Sequence, residues 1–175
     1  MREAKLVRTE TGLVPEGEGW YVVNAREARW VSHPQFGSAC TFEGDVRFEQ
    51  LGINVQVLEP GQPNCLYHRE NLQEDFLVLA GRCLLLVEGE ERQLGPWDFV
   101  HCPPWTDHVF VGAGDEPCVI LMVGARDLNE ELLYPLSELA QRYGAGAEKE
   151  TPVPSEAYAP FGKVADASYR EGDLP

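Results

Sequence analysis

His68, Glu70 and Glu74 stand at the head of an apolar run in the stretch YHRENLQEDFLVLAG, residues 67–81. In an extended chain alternate side chains share a face, so His68 and Glu70 point together while Arg69 points away. Residues 71–74 read as a bend that swings Glu74 back toward that face. A fourth group, His108 in CPPWTDHVFVG, heads a later strand. If the two strands are neighbours, these side chains form a pocket of two imidazoles and two carboxylates. Two carboxylates close together in poorly solvated surroundings repel; either a cation lies between them or one takes up a proton. Two nitrogens and two oxygens suit one divalent transition metal (Mn, Fe, Ni, Co or Zn), with a position left for water or substrate. Each residue alone reads equally well as solvated strand or loop charge. Only the four together point to a metal.

The surrounding chain must supply strands to hold them. From residue 41 to 125 short apolar runs such as INVQV, DFLVLAG, CLLLVEG, DFVHC, HVFVG and CVILMVG alternate with Gly and Pro turns. Seven or eight short strands at this spacing are the pattern of an all-β barrel or sandwich. Residues 1–40 offer two further strand candidates, GWYVVN and EARWVS, with Trp20 and Trp30 as anchors. Beyond Gly124 the pattern turns helical: LSELAQRYG places Leu136, Leu139 and Ala140 on one face, and Gly144 follows as a stop. The tail, 145–175, is rich in Pro, Gly and charge, but Tyr158, Phe161 and Tyr169 suit an arm lying across a surface. The chain therefore divides into N-terminal strands (1–40), a barrel (41–125) and a C-terminal helix and tail (126–175) within one domain.

The order Gly61, His68-x-Glu70-x3-Glu74-x6-Gly81, then Asp98, Pro103 and His108, resembles the two motifs of the cupin superfamily. The resemblance covers about residues 45–125. It implies a cupin jelly-roll barrel carrying one metal, held by His68, Glu70, Glu74 and His108. The sequence departs from the pattern in four places. Glu70 stands where a second histidine is usual, and the interval from Gly61 to His68 is one residue longer. Trp97 and Trp105 replace the two glycines of the second motif, either narrowing the barrel mouth or packing outside it. Val111 or Gly112 occupies the place of its asparagine.

Three further residues are candidates for supporting roles. His101, just before Cys102-Pro103, either backs the ligands from inside the barrel or lies on the surface. Asn54 and Gln56 share one face of INVQV and touch a bound molecule if that face looks inward. His33, in SHPQF, reads as a loop histidine. Cys65 and Cys102 read as structural thiols, because an acidic chain gives a thiolate no electropositive setting.

Composition excludes several classes. With 14 basic against 29 acidic residues the formal net charge is −15. That argues against nucleic acid, which needs a basic footprint, and against anionic membranes. Few basic residues between 50 and 125 also disfavour a heavily phosphorylated substrate. Five cysteines without a Cys-x-x-Cys pair, and an N-terminus without a signal-type apolar core, fit reduced thiols in a cytoplasm. The resemblance implies a metal-dependent enzyme on a small polar molecule, of dioxygenase, decarboxylase or isomerase type. The competing reading is a non-catalytic module that binds or senses a metal or small ligand. A homodimer is expected, since an open jelly roll leaves edge strands to be covered.

Overall fold

β-branched and aromatic residues pair in a register that decides which side chains meet inside the molecule. The computed structural model describes residues 1–175. The strands are β1 (Lys5–Thr9), β2 (Gly12–Glu16), β3 (Arg29–His33), β4 (Gly37–Thr41), β5 (Leu51–Leu58), β6 (Arg69–Glu70), β7 (Glu74–Ala80), β8 (Arg82–Val87), β9 (Glu90–Leu94), β10 (Phe99–Cys102), β11 (His108–Ala113), β12 (Cys118–Ala125), β13 (Leu132–Leu133) and β14 (Ala165–Ala167). Two short helices, α1 (Glu138–Arg142) and α2 (Pro154–Ala157), separate the last two strands. The main sheet runs β10-β7-β12-β5-β4-β3-β14, and β11-β8-β9 forms a second sheet. This is the all-β jelly roll that the strand spacing predicts.

Between the two sheets lies a dry interior. Phe76 and Val78 of β7, Leu58 of β5 and Cys118, Ile120 and Met122 of β12 meet Cys83, Leu85 and Phe110 from the smaller sheet. The period of two along each strand sends the intervening residues to the other face. There Val55, Val57 and Val119 pack on Trp30 and Cys40, while Leu84, Leu86, Val109 and Val111 pack under Tyr67 and Ala140. Each fully buried side chain of this size contributes about 1.5–3 kcal/mol. Gly81 turns β7 into β8 at φ 69°, and a Cβ there would sit 2.2 Å from the Pro117 carbonyl oxygen. Only glycine fits. All five cysteines are free thiols, and no helix is long and apolar enough to cross a membrane.

The ends of the chain differ in part from the sequence reading. GWYVVN is not a strand; Trp20 makes only an isolated bridge to Glu3 and is half exposed, whereas Trp30 is buried. A β1–β2 hairpin that the sequence reading lacks precedes it. The helix starts later than expected. Ser137 caps it, its hydroxyl accepting from the Ala140 N–H at 3.2 Å, so Leu136 lies outside the helix and exposed. The tail crosses the barrel surface as an arm. Tyr158 and Phe161 pack with Phe36, Leu66 and Tyr134, and the buried Leu66 N–H donates to the Tyr158 hydroxyl at 3.0 Å. Farther on, β14 pairs with β3, and Tyr169 lies against Trp30.

Trp97 and Trp105 adopt φ of 74° and 70°, the left-handed backbone of the glycines they replace. Both indoles lie outside the barrel, 75% and 46% exposed. The turns impose this conformation through the backbone: Trp97 N–H donates to Val78 O at 2.8 Å and Trp105 N–H to Glu70 O at 2.6 Å. A bulky residue in this region costs about 1–2 kcal/mol. Trp97→Gly is therefore expected to leave stability unchanged or raise it by up to about 1 kcal/mol, the relief being partly offset in the unfolded chain. Urea denaturation checks this; a clear loss of stability would show that the indole contributes packing.

Candidate metal centre

Three strands carry the barrel interior from apolar to polar in one strand step. On β7 the inward series runs Val78, Phe76, Glu74; on β11, Phe110, His108; on β12, Ile120, Met122, Gly124. Met122 pairs with Phe76 and Gly124 with Glu74. The last apolar layer is thus followed directly by Glu74 and His108. His68 enters from the opposite side through a two-residue bridge: its N–H donates to His108 O at 3.2 Å, and the His108 N–H returns to His68 O at 2.9 Å. The neighbouring strands that the sequence reading requires are therefore present, though His68 itself precedes β6. Its ring lies 4.9 Å from that of His108, centroid to centroid.

Glu74 completes the group. Its Oε2 is 3.1 Å from His108 Nε2 and 3.9 Å from His68 Nε2. One donor atom from each of the three residues lies within 4.8 Å of the others. The far nitrogen of each ring is already engaged: His68 Nδ1 lies 2.9 Å from Leu66 O, and His108 Nδ1 lies 3.0 Å from Thr106 O. A carbonyl oxygen can only accept, so in each neutral ring the proton is on Nδ1 and the Nε2 lone pair faces the cluster. Glu74 Oε2 is buried there, and despite its closeness to His108 it is not aligned for a hydrogen bond. Three lone-pair donors converging without a hydrogen between them fit a cation.

The alternative occupant is a proton. Burial would depress both histidines. It does so for His68, helped by the charge of His108, to about 4. For His108 burial is outweighed by Glu74, whose contact and charge raise the pKa. Glu74 is correspondingly lowered, the pull of His108 overcoming its burial. Without a cation, Glu74 therefore draws a proton onto His108. A metal must displace that proton, so loading weakens as the pH falls.

A cavity of about 210 Å³ opens beside the cluster. Glu70 lines it but stands outside the set of three converging donors. Burial first, then the charges of Glu74 and Glu130, push the Glu70 carboxyl up to about 8. Asn54 also lines the cavity, and its Oδ1 is buried with no partner. Gln56 does not reach it; its amide donates to Phe36 O and Asn64 O at 2.7 and 3.1 Å. His101 is not behind the ligands. In β10 the alternation sends Cys102 into the core, so His101 faces outward, 51% exposed and 2.7 Å from Asp75.

The sequence reading passes over Gly52, Gly124, Asn64 and Arg126, all of which line the cavity. Gly52 pairs with Gly124 across β5 and β12, so these two strands carry no side chain at the level of Glu74. A Cβ at Gly124 would come no closer than 3.8 Å to Glu74. The alternation of Met122, Gly124 and Arg126 is visible in the sequence, but its inward direction follows only from the pairing.

Comparison with known proteins accounts for this architecture. Residues 54–124 match the family described as the cupin domain. The barrel is a cupin domain. Over 73 residues the chain is 29% identical to a 5-nitrosalicylic acid 1,2-dioxygenase of Bradyrhizobium sp, covering 42% of this chain and 35% of that protein. Over 112 residues it is 27% identical to gentisate 1,2 dioxygenase 1 of Aquipseudomonas alcaligenes, covering 64% of this chain and 31% of that protein. The chain thus spans about a third of the length of these curated relatives. Among solved structures it is similar to a sugar phosphate isomerase of the cupin superfamily from Silicibacter pomeroyi, with 27% identity and a TM-score of 0.50, covering 62% of this chain and 66% of that one. The polyketide cyclase RemF of Streptomyces resistomycificus, 15% identical with a TM-score of 0.54 over 62% of this chain and 81% of that one, shares the fold.

The geometry of this cupin separates the histidines experimentally. His68→Ala and His108→Ala are each expected to lose stoichiometric metal, and His101→Ala to retain it. Elemental analysis of the purified variants, with circular dichroism to confirm folding, checks all three. Full metal in both of the first two would overturn the site.

Proposed function

We propose that the cupin barrel is a metal-dependent enzyme site, with iron(II) held by His68, His108 and Glu74, that acts on a small polar molecule by dioxygenase-type chemistry. The observation that carries this reading is the convergence of the two Nε2 lone pairs on the buried, unpartnered Glu74 Oε2. Two histidines and one carboxylate with open positions are the donor set of non-haem iron(II) oxygenases. The curated relatives, both dioxygenases by name, point the same way. When bound, the metal supplies a Lewis acid and a site for activating dioxygen.

The chain's own residues do the rest. The carbonyls of Leu66 and Thr106 fix both imidazoles by accepting from Nδ1, so neither ring can rotate away from the centre. Phe76 and Met122 close the floor and keep water from reaching the cluster through the core. Glu70 lines the cavity without a side-chain hydrogen bond to the protein, free to exchange a proton with a bound molecule. Asn54 offers an amide oxygen to a hydroxyl or amine.

Iron(II)-loaded protein is expected to consume dioxygen when given a small hydroxybenzoate. Glu70→Gln should keep the iron and lower turnover by about tenfold or more. Oxygen uptake and iron content are measured on the same sample. Tight ligand retention without turnover would instead support a non-catalytic binding or sensing module, and conversion of a sugar phosphate without oxygen uptake would support an isomerase.

We further propose a homodimer through the β10 edge of the main sheet. Phe99 in that strand and Trp97 just before it are 63% and 75% exposed, an apolar display at an open strand edge. Light scattering at micromolar concentration should give twice the chain mass, and Phe99→Lys should halve it. A monomer before substitution would sink the proposal.

A further inference from the structure

Arg126 lines the metal-side cavity from the end of β12, and only part of its guanidinium is used by the protein. Nη1 donates to Glu43 Oε1 and to Phe48 O, and Nη2 donates to Glu43 Oε2 at 2.9 Å. These three bonds occupy the end of the fork. Nε–H and the second Nη2–H have no protein acceptor, which leaves one two-donor edge free. Glycine at 52 keeps side-chain atoms off that edge. A Cβ built there would lie 3.1 Å from Nη2 and 3.2 Å from Nε, close enough to crowd both nitrogens. Gly52 lines the same cavity.

We propose that this free edge of Arg126 anchors the carboxylate of a small monoanionic organic acid. A carboxylate takes two parallel N–H···O bonds from such an edge, an arrangement that a lysine would not reproduce. The position also sets a size. Arg126 follows Gly124 by one inward step of β12, and Gly124 pairs with Glu74. One such step is about 7 Å, so the reacting part of the molecule reaches the metal ligands while its carboxylate stays at the rim. One step deeper than Glu74, level with Met122, the unpartnered Asn54 Oδ1 lines the same cavity and can accept from a hydroxyl. The charge of the ligand is bounded as well. Arg126 is the only basic lysine or arginine side chain lining the cavity, and Glu70, Glu74 and Glu130 line it too. A dianionic phosphate is repelled by these carboxylates more than a single carboxylate is.

This inference deepens the proposed enzyme site and rests on that reading, so the test separates the two. Metal content is measured first, and benzoate and benzamide are then titrated by calorimetry into metal-loaded and chelated protein. A metal-free protein would sink the enzyme reading, while a benzoate preference that Arg126 carries would still be seen. The expected result is benzoate bound about tenfold or more tightly than benzamide, with the preference lost in Arg126→Gln. Gly52→Ala keeps the charge and the Glu43 pair but puts a methyl group against the free edge. It should weaken benzoate severalfold and leave metal content intact, and it decides the matter if Arg126→Gln does not fold. Equal binding of the two probes by the unaltered protein overturns the proposal. So does an undiminished preference in Gly52→Ala, or inorganic phosphate competing as well as benzoate.

Discussion

Two imidazole nitrogens and one carboxylate oxygen face each other across a few ångströms with no hydrogen to mediate them, and the fold holds them there. In a flexible chain the three groups would turn apart. Here the backbone pairs His68 directly with His108, Glu74 is fixed opposite Gly124, and two carbonyls take the outer proton of each ring. Each restraint is an ordinary hydrogen bond, worth about 0.5–1.5 kcal/mol net. Together they oppose a repulsion that only a proton or a cation relieves. The barrel's apolar middle provides the rigidity, since close-packed side chains such as Phe76, Phe110 and Ile120 give the strands no freedom to part.

The polar layer is the next storey of the same interior. Going from Phe76 to Glu74, Phe110 to His108 and Met122 to Gly124 changes the chemistry without changing the strand geometry. The glycines at 52 and 124 remove side chains from that storey, so a cavity opens where the core would otherwise continue. The acidic donors there would be costly to bury alone. Their charge is tolerable because the site lies at the barrel's end, near solvent, and beside compensating groups.

Much of this was legible in the sequence, and the exceptions have physical causes. His68, Glu74 and His108 carry the motif spacing, and alternation placed them correctly relative to their strands. Alternation cannot say which face looks inward. That is why His101, one plausible face choice away from the site, is turned outward by the burial of Cys102, whereas Gln56 shares the inward face of Asn54 but is held by the carbonyls of Phe36 and Asn64. Glu70 does share the cavity with His68, as alternation requires, but its carboxyl stands outside the converging donors. Arg126 lies beyond the last recognisable motif, and Gly52 carries no side chain to read. Their relation depends on β5 and β12 being paired, a contact between residues about seventy positions apart in the chain. The tryptophans at 97 and 105 have the backbone that motif glycines would have, but nothing in their residue type announces it.

The arm formed by the tail reaches the centre through a short relay. Tyr158 takes the Leu66 N–H, and the carbonyl of that same residue takes the His68 ring proton. One peptide neighbour thus joins the docked tail to a metal ligand. To the extent that docking of the tail tightens the metal site, a bound metal tightens docking of the tail by the same coupling free energy, because linkage is reciprocal. A proteolytic nick near residue 158 would then act at a distance as a chelator does, and a bound ion would in turn shield the tail from proteases.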